Sequence, residues 1–313
     1  MTQIWAIFYD AYRNLNSKKL FWITLLLSGF VVLTFAFVGI NEKGLTILTW
    51  ELQSQFFNSN FMSPDIFYKW IFTTFGIGLW LSWVGTIMAL VSTAGIFPDL
   101  MSEGSIDLAV SKPISRFRLF MTQYAAGLLF VALQVSIFTL ASFLVIGFRG
   151  GVWEPGLFIA IPLVLCLFSY LFSFSVLVGV KTRSTVAAIL LTMVFWCGLF
   201  ILHRADVVLT LVTSDSGFGA VEDHDPPEGL ILARDIVHGV ATVLPNTTWT
   251  IDLLSRSLVD MAELPEHMGG GENPQQAVIE EMHDSPTLIL GSSLAFEFFI
   301  LMLAARIFCR RDY

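Results

Sequence analysis

The sequence predicts an all-α integral membrane protein: six transmembrane helices, an N-terminal interfacial helix, and a helical outer loop between the fifth and sixth spans. Three observations carry this. Hydrophobic residues fill 55% of the 313 positions and charged residues 13%, against roughly 25% charged in a soluble domain. The mean hydropathy is +0.73. The apolar residues gather into six runs of 18 to 27 residues, close to the roughly 20 that cross the hydrocarbon.

Residues 1–19 come first. Ile4, Phe8, Ala11 and Leu15 recur at helical spacing beside Trp5, Tyr9 and Tyr12, with Gln3, Asp10, Arg13 and Asn14 on the other side. That is the pattern of an amphipathic helix lying in the membrane interface. The stretch lacks the basic start and small-residue cleavage site of a secretory signal, so it is expected to stay on the mature chain. The spans follow at 20–40, 71–97, 121–147, 155–180, 185–202 and 287–309. Between the first two, residues 41–70 mix Glu42, Lys43, Glu51, Asp65 and Lys69 with Trp50, Phe56, Phe57, Phe61, Phe67 and Tyr68, and read as a partly interfacial loop. A short turn at 148–154 and a tight basic turn, Lys181-Thr182-Arg183-Ser184, join the later spans.

Orientation follows from the basic residues, which short cytoplasmic loops retain. With six spans, the N-terminus, the 98–120 loop, the 181–184 turn and the C-terminus share one side. They hold eleven of the 17 Lys and Arg residues against five acidic ones. That side is therefore read as cytoplasmic, with both termini on it and the chain in the plasma (inner) membrane. The outer segment 203–286 is the reverse, with 15 acidic residues against Arg204, Arg234 and Arg256. Within it, 229–243 and 248–264 carry helical apolar spacing around the turn Leu244-Pro245-Asn246, while Asp225-Pro226-Pro227 and the three glycines at 269–271 read as connectors.

All five histidines, His203, His224, His238, His267 and His283, fall in that acidic segment and are read as solvent-facing. A metal or pH-sensing role is the alternative, but their separations match no compact ligand motif. No metal site is expected. Cys166, Cys197 and Cys309 lie inside apolar runs, which argues against a disulfide framework. Glu297, near the middle of the last span, is the conspicuous intramembrane charge. It is either a buried carboxyl holding helices together, through Gln134 or a serine, or a residue of a transport step.

The stretch 101–120 is a short polar passage between two long apolar runs. Glu103-Gly104 and Asp107 stand in front, Lys112, Arg116 and Arg118 behind, and Pro113 followed by Ser115 reads as a break with a new helix start. No nucleotide-binding Gly-x-x-x-x-Gly-Lys-Ser/Thr loop and no nucleophile elbow occur, so the chain is not read as an enzyme.

Glu103-Gly104-Ser105-Ile106-Asp107-Leu108, then Ser111-Lys112-Pro113-Ile114-Ser115-Arg116 and Phe117-x-Leu119-Phe120, resemble the cytoplasmic signature of ABC transporter permeases of the ABC-2 type, in particular the NosY-like six-span subunits. The resemblance extends to the interfacial first helix, the span count and the Leu244-Pro245 turn before a helix of the last outer loop. It implies that Glu103, Gly104, Ser105, Asp107, Lys112, Pro113, Ser115 and Arg116 dock into a cleft on a separate ABC ATP-binding subunit. It also implies two permease copies, as a homodimer or a related heterodimer, and export as the direction. ATP and Mg would sit on the partner, with no cofactor on this chain, and the other contacts would be membrane lipids rather than nucleic acid. The alternative from the residues alone is an ion-coupled secondary transporter using Glu297, although no inverted repeat or broken span is evident.

Overall fold

The computed structural model describes residue 13 and residues 19–42, 44–47, 50–53, 63–101, 115–151, 153–213, 227–258 and 286–310. It contains six helical spans long and apolar enough to cross a membrane: Lys19–Phe37, Ile66–Leu100, Arg116–Gly150, Pro155–Thr182, Thr185–Thr213 and Thr287–Arg310. The chain is a multi-pass helical membrane protein. The interfacial helix expected over 1–19 lies outside the described residues, apart from Arg13 and Lys19.

The first span, α1 (Lys19–Phe37), turns Trp22, Leu26 and Phe30 outward and buries Phe21, Thr24, Val32 and Phe35, the one-sided burial of a helix that meets lipid on its other face. It ends three residues before the expected boundary. Val38–Asn41 (β1), Gly44–Ile47 (β2) and Trp50–Gln53 (β3) form a small antiparallel meander in the order β1-β2-β3. This corrects the reading of 41–53 as loop and adds a sheet to an otherwise helical chain. Val38, Ile40, Thr46 and Ile47 are β-branched, which favours the pleated surface. Asn41 Oδ1 accepts from Gly44 N at 3.0 Å, and Gly44 takes φ 145°, open to glycine alone at no steric cost.

The second span starts earlier than its apolar run. Ser63 precedes Pro64 at the first turn of α2 (Pro64–Ile71), the usual place for proline in a helix, and Phe67 and Tyr68 are buried. Lys69 pairs with Glu154 at 3.1 Å, so the charge that suggested a loop is neutralised by the turn between the third and fourth spans. Phe72–Gly85 then continues as a π-helical segment, followed by α3 (Thr86–Thr93) and, after a turn, α4 (Ile96–Leu100). Trp80 Nε1 donates to Ser28 Oγ of α1 at 3.1 Å, and Trp83 stacks on Trp196 with ring centroids 4.8 Å apart.

Ser115 caps α5 (Arg116–Gly150), its side chain accepting from Arg118 N at 3.4 Å. Gly151 ends it in the left-handed conformation at φ 73°. A single 3-10 turn, Pro155–Ile159, leads into α6 (Ala160–Thr182). The basic turn forms as expected: Arg183 adopts φ 55° and Ser184 Oγ accepts from Ala187 N at 3.3 Å to start α7 (Thr185–Thr213). The outer helices are α8 (Glu228–Val243) and α9 (Thr247–Leu258), and α10 (Pro286–Arg310) is the last span. At the centre stands α6, packed against α10, α7 and α5.

Candidate functional site

Glu297 is the twelfth of the 25 residues of α10, in mid-span. An unserved carboxylate there is costly, and the neighbouring helices serve both of its oxygens. Tyr124 of α5 donates to Oε1 at 2.7 Å and Ser169 of α6 donates to Oε2 at 2.7 Å. All three residues are buried. Among the described residues, Glu297 meets these two neutral hydroxyls and no cationic partner.

Each hydroxyl also has a second acceptor. Tyr124 Oη lies 3.3 Å from the Ser169 carbonyl, and Ser169 Oγ lies 2.8 Å from the Cys166 carbonyl. The Tyr124 ring is held flat against Phe172, with centroids 5.1 Å apart and planes 9° from parallel, and Phe172 stacks in turn on Phe168. Gly127, one turn along α5, makes room for that ring: a Cβ at this position would stand 2.7 Å from Phe172 Cζ.

A second buried carboxylate lies toward the C-terminal end of α7. The apolar run of α7 continues past residue 202 to Thr213, so His203 and Asp206 are helical and only 2% and 4% exposed. This corrects the solvent-facing reading for His203. His203 Nδ1 meets the Leu199 carbonyl at 2.8 Å, which places a proton on Nδ1. Asp206 Oδ2 meets Nδ1 of His238 on α8 at 3.3 Å, and the His238 side chain is half exposed. Asp206 Oδ1, Asn246 Oδ1 and His203 Nε2 make no hydrogen bond among the described residues. Asp206, His238, Asn246, Trp249 and Ile289 line a cavity of about 10 Å³, close to the room of one water molecule. The Asn246 backbone N–H donates to Ser293 Oγ at 2.9 Å, and Ser293 precedes Glu297 by one turn of α10. Among the described residues no three His, Cys, Asp or Glu side chains group as a metal site.

At the opposite end, residues 102–114, and with them Glu103, Gly104, Ser105, Asp107, Lys112 and Pro113, lie outside the described residues. The flanks of that stretch are described. Phe97 before it, Phe120 after it and Phe308 near the end of α10 pack as a buried cluster, with centroids 4.9 Å (97–120), 5.7 Å (120–308) and 6.3 Å (97–308) apart. Arg116 Nη1 donates to the Cys309 carbonyl at 3.4 Å, serving a backbone acceptor at a helix C-terminus that lacks an intrahelical donor. Arg116 thus joins the start of α5 to the end of α10.

Of the partners named for Glu297 in the sequence, the serine is Ser169. Gln134 instead lines a small cavity with Ser28 and Trp80, and its Nε2 has no hydrogen-bond partner among the described residues. Tyr124 carried no sequence assignment. Its signal is that of a hydroxyl inside an apolar run, which must find its partner within the protein; the helix pairing that chooses the partner is not in the sequence pattern. His203 and Asp206 were set outside the span because the first ionisable side chains after 202 were taken to end it. Comparison with protein-family models gives no match, and comparison with curated proteins gives none.

Proposed function

We propose that the chain is the membrane-spanning permease subunit of an ATP-driven ABC transporter of the ABC-2 type, acting as a pair and working as an exporter. It would couple to a separate ATP-binding subunit through residues 101–120. The termini would be cytoplasmic in the plasma (inner) membrane, and ATP and Mg would be held by the partner. The reading rests on the loop residues quoted above, and one structural observation supports it. Both flanks of the loop converge on the last span through Phe97, Phe120, Phe308 and the Arg116–Cys309 bond.

That convergence is what a docking loop needs in order to do mechanical work. A displacement of the loop is transmitted through close-packed rings, which do not compress, to α4, α5 and α10 together. Since α5 and α10 also carry Tyr124 and Glu297, motion imposed at the cytoplasmic end reaches the mid-span hydrogen bonds without passing through a flexible connection.

The test is co-purification of the tagged chain with the ATP-binding protein encoded beside it, comparing the unmodified chain with the Glu103→Ala, Arg116→Ala double variant. The unmodified chain is expected to bring the ATPase down and the membrane-inserted variant to lose it. Absence of an ATPase from the unmodified preparation would remove the permease reading. It would favour the second reading, an ion-coupled secondary transporter, for which the buried Glu297 without a cationic partner is the specific support.

A further inference from the structure

The hydroxyls around Glu297 are arranged to serve two protonation states. With the carboxylate ionised, Tyr124 and Ser169 both point their protons at it, at 2.7 Å each. With the carboxyl protonated on Oε1, that proton is donated to Tyr124 Oη. The tyrosine proton then turns to the Ser169 carbonyl 3.3 Å away. A proton on Oε2 is handled in the same way by Ser169, whose own hydroxyl turns to the Cys166 carbonyl at 2.8 Å. No donor is stranded in either state, so neither state carries the desolvation cost of an unpaired buried polar group.

A polar face runs from this point toward the outer side. Ser293 lies one turn before Glu297 and accepts from the Asn246 backbone. The buried Tyr170 hydroxyl makes no hydrogen bond among the described residues and lies near Ser293, Thr250, Cys166 and Glu297. Beyond Asn246 is the cavity with Asp206 and the half-exposed His238.

We infer that Glu297 is a proton-binding site, loaded and emptied from the outer side along the Ser293 face of α10. The step is proton transfer alone: an O–H bond forms on a Glu297 carboxylate oxygen, and the proton comes from outer water and returns there. The titratable groups facing the site are Tyr124 from α5 and Cys166 and Tyr170 from α6; α8 brings His238 to Asp206, and α9 brings the neutral Thr250. The inference stands apart from coupling to an ATPase, since it concerns this chain's own interior.

The experiment is infrared spectroscopy of the full chain reconstituted in phospholipid vesicles while the buffer is taken from alkaline to acid. The expected result is a protonated-carboxyl C=O band that grows on acidification, is lost in Glu297→Gln, and moves in position in Tyr124→Phe and Ser169→Ala. A band that is absent at every pH, or unchanged in Glu297→Gln, overturns the proposal. If Glu297→Gln does not insert, Glu297→Asp keeps the carboxyl but shortens its reach. The band must then shift, and an unmoved band assigns it elsewhere. For the route, Ser293→Ala is expected to lengthen the deuterium-exchange time of the band several-fold, and an unchanged time removes the route.

Discussion

Among the described residues the protein buries two carboxylates, and it treats them differently. Glu297, in mid-span, has both oxygens served by neutral hydroxyls. Asp206, near the C-terminal end of α7, has one oxygen against the half-exposed His238, while the other makes no hydrogen bond among the described residues. Depth explains the contrast. The side chain that meets Asp206 is half exposed, so solvent screens that contact. Glu297 and both of its partners are buried, so a partner must accommodate the carboxyl in whatever state it is in, and a hydroxyl that can both donate and accept does this.

The largest effect belongs to the packing behind the inner site. Phe172 is fully buried, supports the Tyr124 ring, and lies in the space that Gly127 leaves open. Phe172→Ala is expected to lower the stability of the purified chain by about 3–5 kcal/mol, the usual range for removing a core phenylalanine, read by thermal unfolding in detergent. It should also loosen Tyr124 from Glu297 while leaving the Asp206–His238 contact as it is. A loss below about 1 kcal/mol would mean that the inner site is not held by its aromatic backing, and the two carboxylates would differ less in rigidity than their surroundings indicate.

The outer pair should respond less. Asp206→Asn keeps the shape and removes the charge that faces His238. The expected cost is about 1–2 kcal/mol, that of weakening one hydrogen bond to a partly exposed partner, measured in the same way. A cost above about 3 kcal/mol would make this a fully desolvated pair and break the comparison, because depth would no longer separate the two sites.

Most of the fold was legible in the sequence, and the parts that were not have physical reasons. Apolar run length alone places six spans, since hydrocarbon thickness leaves little latitude. The boundaries moved where a local signal competes with hydropathy. Val38 and Ile40 belong to an apolar run but join a sheet, and the helix start at Ser63-Pro64 is masked in the sequence by Lys69, whose partner Glu154 is distant along the chain. The run after Leu202 was cut at His203, although Val207, Val208, Leu209, Leu211 and Val212 carry the apolar pattern on. Glu297 was legible as a site from its position. Tyr124 was not, because its meeting with Glu297 depends on which helices lie side by side, and apolar patterning is silent on that.

The smallest effect on stability is expected from the change that touches the inner carboxylate most directly. Glu297→Gln keeps one carbonyl oxygen to accept from Tyr124 or Ser169 and places an amide N–H₂ opposite the other hydroxyl. That hydroxyl can accept from the amide, because its own proton has the Ser169 or Cys166 carbonyl to go to. Both hydroxyls and one amide N–H keep a partner and only the second amide N–H gains none, so unfolding should change by about 1 kcal/mol, the worth of one neutral hydrogen bond. Membrane yield should be unaffected, while, on the permease reading proposed above, ATP turnover of the complex with the ATP-binding subunit should fall. A stability loss of several kcal/mol would show that the site is built for a fixed carboxylate and that the hydroxyls cannot turn. Full turnover with full stability would reduce Glu297 to a packing residue, and the two buried carboxylates would then differ in surroundings but not in use.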